Sequence, residues 1–259
     1  NITITNSGNG VSDAGIKIEA SSSNKIINCN IYNNSNYGIY MYTAPFLPNI
    51  KNNLVEKCNI YNNTNRGIMI EGIPNIYNAY HNNISECTIY NTNLVGIRCD
   101  WTQYAYISNC TVYNNTAEGI WLDHSQYNEI KNCDIFANGD GIWLDGGSSN
   151  NNISNCNIHG NTFDGIDVSG GTASNNIIVN SIISHNNRNG IYIDHSSYHT
   201  ISNSNIHNNT KCGLYITGAT AANPTGSHII TETSIQNNNG DGIKLENTTN
   251  NKITKCMCI

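Results

Sequence analysis

The sequence is built from ten repeats, each marked by a glycine that is followed by a short run of alternating apolar residues. Successive glycines are separated by between 22 residues (Gly119 to Gly141) and 29 residues (Gly38 to Gly67). Positions one and three after each glycine are apolar, whereas positions two and four are mostly charged or aromatic. This period of two predicts a strand with one buried face in every repeat. The ten glycines are Gly15, Gly38, Gly67, Gly96, Gly119, Gly141, Gly165, Gly190, Gly213 and Gly242.

Each repeat contains a second strand, as in Asn28-Cys29-Asn30-Ile31, with a small residue at one inward position. Asn dominates the positions five residues before and five residues after that small residue. The small residue and the two Asn positions keep the same spacing in every repeat, although the loops between repeats vary in length. This indicates stacked coils, each with about three strands and three turns. Asn suits the turns because it tolerates the left-handed backbone conformation and because stacked amides can bond along the axis. We therefore predict an all-β fold: a single-stranded right-handed parallel β-helix of about ten coils, forming one domain over residues 1–259.

The small inward position holds seven of the ten cysteines. Such a column favours buried free thiols, which pack as small apolar groups, over disulfides. No metal site is predicted, since the only close pair, Cys256 and Cys258, has one residue between its members rather than two. The column is Cys29, Cys58, Cys87, Cys110, Cys133, Cys156, Ser181, Ser204, Thr233 and Cys256.

Composition argues against several classes of function. The chain has 12 Lys and Arg against 18 Asp and Glu, which disfavours a nucleic-acid partner. The sequence has no run of 18 apolar residues, so no membrane-spanning segment is predicted. It opens on the strand-like Asn1-Ile2-Thr3-Ile4, which indicates a mature chain or an excised domain.

The outward positions of the strands that follow the glycines form a stripe of carboxylates beside a stripe of aromatic rings. Like charges stacked at about 4.8 Å repel each other, so stability alone would not select them. The alternative is that these Asp residues cap turns and keep an exposed face soluble. Carboxylates beside exposed rings are typical of surfaces that bind and cleave sugars, because pyranose faces stack on aromatic rings.

Loop lengths place the middle of this face in a groove. Repeats two, three and nine carry insertions at residues 43–52, 72–81 and 218–227, whereas repeats four to eight have short turns there. The insertions would enclose a groove of roughly 20–25 Å, at about 4.8 Å per coil, which suits several sugar units.

Asp123 and Asp145 are the predicted catalytic pair, since they occupy one column on adjacent coils in the middle of this groove. One of two carboxyls about 5 Å apart should keep its proton near neutral pH and act as the acid. The supporting or alternate catalytic residues are Asp100, Asp167, Asp194 and His124. The predicted sugar-binding residues are Trp121, Trp143, Trp101, Tyr192, Arg98 and His195.

The pattern N-x-I-x-x-C-x-I-x-N-N-x-x-x-G-I-x-L-D runs through the whole chain and resembles the parallel β-helix repeats of pectate-lyase-like proteins. Its Asn-rich form, as in Asn128-Glu129-Ile130-Lys131-Asn132-Cys133-Asp134-Ile135, is similar to archaeal proteins of the copper-processing (NosD-like) and methanogen disaggregatase type. The disaggregatase resemblance implies an enzyme that breaks an acidic heteropolysaccharide matrix between cells, and hence an extracellular or cell-surface location. No catalytic motif is matched residue by residue, so no site residue is carried over.

Three functions stay open. The first is a polysaccharide-degrading enzyme: a hydrolase with two carboxyls, or a lyase with a base and a cation that neutralises a uronate carboxylate. Of the cations on the strands, only Arg98 lies near the groove centre, which favours a hydrolase. No cofactor is predicted, except Ca²⁺ held by Asp pairs if the enzyme is a lyase.

The second function is a non-catalytic carbohydrate-binding or surface-structural module, in which the exposed rings hold a glycan without cleaving it. The third is a copper-insertion protein. It is the least favoured, because copper delivery needs exposed Met, His or Cys, whereas the chain has three Met and a Cys column that points inward.

Overall fold

The computed structural model describes residues 2–8, 10, 12–76, 79–171, 173–218 and 225–259. Within these residues every regular element is a strand, and the strands pair in parallel across successive coils. Three long sheets run along the molecule, and each full coil contributes one strand to each of them. The predicted right-handed parallel β-helix is confirmed. In the described part of the chain, no helix is long and apolar enough to cross a membrane.

The first long sheet, which we call the glycine sheet, contains the strands at the repeat glycines. These glycines pack against the next coil: a Cβ at Gly119 would lie 2.7 Å from the carbonyl oxygen of Gly141. The ten strands are Ala14–Glu19, Tyr37–Tyr42, Ile68–Glu71, Ile97–Asp100, Ile120–Asp123, Ile142–Asp145, Ile166–Val168, Ile191–Asp194, Leu214–Thr217 and Ile243–Glu246.

The other two long sheets flank the cysteine column. The ten strands before it are Lys25–Ile27, Leu54–Glu56, Asn83–Ser85, Tyr106–Ser108, Glu129–Lys131, Asn152–Ser154, Ile177–Val179, Thr200–Ser202, Ile229–Thr231 and Lys252–Thr254. The eleven strands of the remaining sheet are Ile2–Thr5, Cys29–Tyr32, Asn59–Tyr61, Thr88–Tyr90, Thr111–Tyr113, Asp134–Phe136, Asn157–His159, Ile182–Ser184, Asn205–His207, Ser234–Gln236 and Met257–Cys258.

The core consists of inward columns, as the alternation predicts. Ile120 and Leu122 pair with Ile142 and Leu144 on the next coil, and all four side chains are fully buried. Each such burial stabilises the fold by roughly 1.5–3 kcal/mol. Cys133 is 2% exposed, and all ten cysteines are free thiols.

Asn builds the corners in both predicted ways. Asn114 and Asn132 have φ of 53°, in the left-handed region that Asn tolerates. Buried Asn side chains also bond from coil to coil: Asn115 Nδ2 donates to Asn138 Oδ1 at 2.9 Å. Because one column bonds along the axis, successive coils are fixed in register, and the outward residues stay aligned as well.

The first two insertions lie at the corner where the glycine-sheet strands end. Each contains a two-residue strand, and these strands pair with a third from the next coil, giving a short sheet of Ile50–Lys51, Ala79–Tyr80 and Thr102–Gln103. A two-stranded sheet of Thr225–Gly226 and Thr248–Thr249 forms near the third insertion. Residues 77–78 and 219–224 of the insertions lie outside the described residues.

Candidate active site

The glycine sheet aligns three of the predicted carboxylates in one outward column. Asp100, Asp123 and Asp145 are register partners on three adjacent strands. Each is the last residue of its strand, so its side chain stands at the corner where the coil leaves the sheet. Neighbouring members are separated by the strand spacing, about 4.8 Å.

Asp123 and Asp145 share a wide cleft at this corner, which we call the carboxylate cleft. Its volume is about 530 Å³, and it is lined by Asp123, His124, Asp145, Gly146, Gly147, Gly170 and Gly171. A Cβ at Gly146 would clash with Asp123 Oδ1, and a Cβ at Gly170 would clash with Asp145 Oδ1. Both glycines also have positive φ, +57° and +77°. Glycine turns therefore leave the carboxylates accessible to a ligand.

Asp123 is bound by two donors. Arg98 Nη2 donates to Asp123 Oδ2 at 2.9 Å, and His124 Nδ1 lies 2.6 Å from Asp123 Oδ1. The left-handed conformation of His124, with φ of 49°, turns its ring back onto the preceding carboxylate. Both oxygens of the Asp123 carboxylate are therefore held by neighbouring side chains.

Arg98 bridges two carboxylates of its own protein. Its Nε donates to Asp100 Oδ1 at 2.6 Å, and its guanidinium stacks 3.7 Å from the centre of the Trp121 ring. Burial raises the pKa of Asp100 to about 6, although Arg98 opposes the shift. Arg98, predicted to contact sugar, is thus already engaged on three sides, and Asp100 joins the cleft only through it.

Asp145 has a different environment from Asp123. Burial raises the pKa of Asp145, the Gly146 N–H opposes the shift by donating to Oδ1 at 2.6 Å, and the charge of Asp123 adds to it. Its neighbour Asp123 has an ion-pair partner, and Asp145 has none among the described residues. The two adjacent carboxyls therefore have different electrostatic environments.

The predicted aromatic residues stack beside the carboxylates. The Trp121 and Trp143 ring centres are 4.5 Å apart, and Arg98 covers the other face of Trp121. Trp143 Nε1 donates to Ser169 Oγ at 3.1 Å. On the corner, Trp101 stacks on His124 with 4.1 Å between ring centres. Trp121 therefore has both faces covered, while Trp143 is stacked on one face by Trp121.

Asp194 and His195 form a second Asp–His pair in a different place. His195 Nδ1 bonds Asp194 Oδ1, and its φ is 53°. His195 lines a separate cleft of about 310 Å³. The register partner of Asp194 on the following strand is Thr217, so no second carboxylate adjoins it there. The structure therefore does not bring Asp194 and His195 to the carboxylate cleft.

The whole sequence matches one family model. The model describes a right-handed beta helix region and matches residues 1–74, 74–181 and 172–259. The chain belongs to the right-handed β-helix family. Among curated proteins, no sequence matches it significantly.

Solved structures share the fold of this β-helix protein at low sequence identity. A periplasmic alginate epimerase is 13% identical with a TM-score of 0.68, over 94% of this chain and 74% of that one. The A-module of an Azotobacter vinelandii mannuronan C-5 epimerase is 14% identical with a TM-score of 0.69, over 94% and 76%. The enzymatically active domain of bacteriophage CBA120 tailspike protein 2 is 13% identical with a TM-score of 0.63, over 94% and 38%.

The β-helix also holds a largely buried acidic cluster, in which the predicted Asp167 lies beside two carboxylates that sequence reasoning missed. Carboxylate oxygens of Asp140, Asp164 and Asp167 lie within 4.8 Å of one another. Burial raises the pKa of Asp140 and of Asp167 to about 7 in each case. Three carboxylates offer oxygen ligands of the kind that Ca²⁺ accepts, and their raised pKa values suit shared protons equally well. The signal in the sequence is an acid directly before Gly141 and Gly165.

A second missed feature is a set of cations near the same sheet, in a cleft of about 330 Å³ that we call the cationic cleft. Arg188 and Lys211 stand two residues before Gly190 and Gly213, a position that the strand pattern does not include. Tyr192, a predicted sugar contact, lies here, next to Asp167 in the outward column that also contains Trp143. The lining residues are Asp164, Arg188, Asn189, Tyr192, Lys211, Cys212, Tyr215 and Lys244.

Proposed function

We propose that this β-helix protein is a polysaccharide-degrading glycoside hydrolase whose catalytic pair is Asp123 and Asp145. One observation carries the proposal: two carboxyls on adjacent coils share an open cleft, one ion-paired with Arg98 and the other desolvated. Most glycosidases need this combination, an ionised carboxylate beside a carboxyl that keeps its proton.

Asp145 is the general acid in this mechanism. It donates its proton to the glycosidic oxygen while the bond from that oxygen to the anomeric carbon breaks. Asp123 then bonds to the anomeric carbon through a carboxylate oxygen. In the second half-reaction, the Asp145 carboxylate takes a proton from water, the resulting hydroxide displaces Asp123, and both groups return to their starting states.

The spacing of the pair favours retention of configuration. Asp123 and Asp145 are register partners on neighbouring strands, and strands lie about 4.8 Å apart. Retaining enzymes place their carboxyls about 5–5.5 Å apart, whereas inverting enzymes leave about 6.5–9.5 Å for a water molecule. A pair two coils apart, Asp100 and Asp145, would suit inversion, but Asp100 is bound to Arg98 and lies outside the cleft lining.

His124 and Arg98 act as positioning residues for Asp123. Each bonds a different oxygen of that carboxylate, so the side chain is fixed before substrate arrives. Trp143, two residues before Asp145 on the same strand, and Trp101, which stacks on His124, would supply apolar surface for sugar rings.

Structural relatives and the repeat sequence support a polysaccharide substrate. Two of the similar solved structures are epimerases named for alginate and mannuronan, and a third is the enzymatically active domain of a tailspike. The Asn-rich repeats resemble methanogen disaggregatase, which favours a cell-surface heteropolysaccharide and therefore action outside the cell.

The test is to incubate the purified protein with extracted cell-surface heteropolysaccharide and to assay two products. We expect new reducing ends without unsaturated uronates, which absorb in the ultraviolet. Asp145→Asn should lower turnover about 10²–10⁴-fold, the usual contribution of acid–base catalysis. The matched control is Asp134→Asn, because Asp134 lies on another sheet, bonded to Asn157 and His159.

Two outcomes would overturn the hydrolase, and a third would overturn the assignment of its acid. Unsaturated products would make the protein a lyase. Binding without any product would make it a carbohydrate-binding module. Full activity in Asp145→Asn, with the same circular dichroism spectrum as the parent, would show that another residue is the catalytic acid.

A further inference from the structure

We infer that the cationic cleft is a second glycan-binding site, which recognises a sugar carrying an anionic group, a carboxylate or a sulfate, away from the bond that is cleaved. The inference rests on the proposed function for the identity of the ligand as part of a sugar polymer. It adds a binding site on residues outside the catalytic pair.

Three largely buried carboxylates next to this cleft, Asp140, Asp164 and Asp167, partly balance the charge of Arg188. Lys211 N–H donates to the Arg188 carbonyl at 2.9 Å, so these two cations leave the same corner on adjacent coils. The one carboxylate in the lining, Asp164, is 1% exposed and accepts bonds from Asn189 N and Nδ2 at 2.7 and 2.8 Å. Arg188 Nη1 lies 3.7 Å from Asp164 Oδ2, beyond hydrogen-bond distance.

Arg188 and Lys211 therefore lie on adjacent coils with N–H groups that are available to a ligand. The Arg188 side chain is 50% exposed, and Lys211 is exposed and has no ion pair among the residues that the structure describes. Both side chains line the same cleft on adjacent coils, so an anion bound between them would relieve their mutual repulsion. Arg suits this role, because its planar fork donates to both oxygens of a carboxylate or sulfate.

Two tyrosine rings also line the cleft. Tyr192 and Tyr215 are register partners with ring centres 5.4 Å apart and planes tilted by 49°. Lys244 lies 4.3 Å above the Tyr215 ring and 3.1 Å from Glu246, so its charge is partly compensated. A sugar ring resting on the tyrosines would place an acidic substituent near the cations.

The position of the cleft separates it from catalysis. Tyr192 lies on the eighth coil and Asp145 on the sixth, which puts about 10 Å between them along the axis. The outward column of Trp143, Asp167 and Tyr192 connects the two sites along the glycine sheet. One polysaccharide chain crossing the sheet would therefore contact both sites with different sugar units.

The first experiment measures binding of three monosaccharides by NMR titration at low ionic strength: glucuronate, glucose 6-sulfate and glucose. We expect the two anionic sugars to shift the Tyr192 and Tyr215 ring signals saturably, whereas glucose binds at least about tenfold more weakly. Arg188→Gln combined with Lys211→Gln should remove the difference. Lys131→Gln is the control, since Lys131 is a half-exposed lysine paired with Glu129 on another sheet.

Equal shifts with all three sugars, or unchanged anion binding in the double variant, would overturn the inference. A response to only one of the two anions would identify the substituent. Because monosaccharide binding requires no cleavage, this result does not depend on whether the protein is a hydrolase.

A second experiment uses the polysaccharide and separates the two proposals. In the Asp145→Asn background, Arg188→Gln with Lys211→Gln should weaken polysaccharide binding at least tenfold, and more at low salt than at high salt. If Asp145→Asn retains full activity while this loss is seen, the catalytic proposal fails and the binding site stands. If affinity is unchanged while Asp145→Asn is inactive, the binding site fails and the hydrolase stands.

Discussion

Asp123–His124 and Asp194–His195 are the same dipeptide at the same corner of two different coils. In both, the His has positive φ, 49° and 53°, and its Nδ1 bonds the preceding carboxylate. The first pair adjoins two charged residues on the neighbouring coils, Arg98 and Asp145, whereas the register partner of Asp194 on the following strand is Thr217. In a solenoid, each residue meets its counterparts one coil before and after, so the stacking partners decide what a local motif can do.

The difference extends to accessibility. The coils after Asp123 turn through the glycine pairs 146–147 and 170–171, which keep side chains out of the carboxylate cleft. The cleft at His195 is lined instead by side chains such as Ser174, Ser197 and Tyr198. One pair therefore has a second carboxyl and open space, and the other has hydroxyl groups and rings.

The largest effect should distinguish the two pairs directly. Asp123→Asn should lower turnover about 10²–10⁴-fold or more, because the ionised carboxylate is lost. Asp194→Asn alters the same bond to the following His in a coil without a second carboxylate, so turnover should stay within about threefold of the parent. Initial rates of reducing-end release, with melting temperatures for both variants, would measure this. Equal losses at both positions would show that the dipeptide itself is catalytic.

Arg98→Met should give the next largest effect. It leaves Asp100 and Asp123 without their cation at sites only 13% and 17% exposed. Breaking such a pair costs about 3 kcal/mol of unfolding free energy, which urea denaturation would detect. Arg98 opposes the raised pKa of Asp100, so in Arg98→Met the Asp100 carboxyl should titrate at higher pH, which carboxyl-carbon NMR would follow. Arg98→Lys, which keeps the charge, should change both the stability and this titration less. An unchanged Asp100 titration in Arg98→Met would show that the guanidinium does not act on that carboxyl.

The fold was predictable because the same buried positions and Asn positions recur in every coil. Ile120 pairs with Ile142, and Asn115 bonds Asn138, as their shared columns predict. A single such pair would not determine a fold. Because the same pattern recurs in ten coils, a stacked parallel β-helix is the one arrangement that satisfies all of them. The free inward thiols follow from the same alignment, since Cys133 occupies a column that is buried at every neighbouring coil.

The sites were less predictable because their residues depart from the repeat. The column places Asp123 beside Asp145, but it does not show that Arg98 reaches across a coil to bond Asp123 at 2.9 Å. Arg188 and Lys211 both stand two residues before a repeat glycine, but the alternation of the strand does not show where side chains of the preceding turn lie. Side-chain reach and turn geometry were therefore the missing information.

Trp143→Ala should have a smaller effect, on binding rather than on the pair itself. The loss of stacking should weaken oligosaccharide affinity by roughly 1–3 kcal/mol, by analogy with stacking of bases on aromatic side chains. Tyr127→Ala is the control, because Tyr127 is a 46% exposed ring that stacks on Tyr104 away from the cleft lining. Calorimetric titration of the Asp145→Asn background would measure both; equal affinities would remove Trp143 from the glycan site.

The smallest effect concerns the protonation of Asp145, and it tests whether the two carboxyls interact. The pKa of Asp145 is raised by burial, and the charge of Asp123 contributes to the shift. Because an acid must be protonated, activity should fall as pH rises through this elevated pKa. Asp123→Asn removes the negative charge but keeps the burial, so the pKa of Asp145 should decrease while staying above its ordinary value. Carboxyl-carbon NMR of Asp145 would follow the titration.

The control variant, Asp194→Asn, should leave the pKa of Asp145 unchanged, because Asp194 is two coils away in sequence order and absent from the cleft lining. If the pKa of Asp145 is the same in Asp123→Asn as in the parent, the two carboxyls do not interact. The assignment of Asp145 as the acid and Asp123 as the nucleophile would then be wrong.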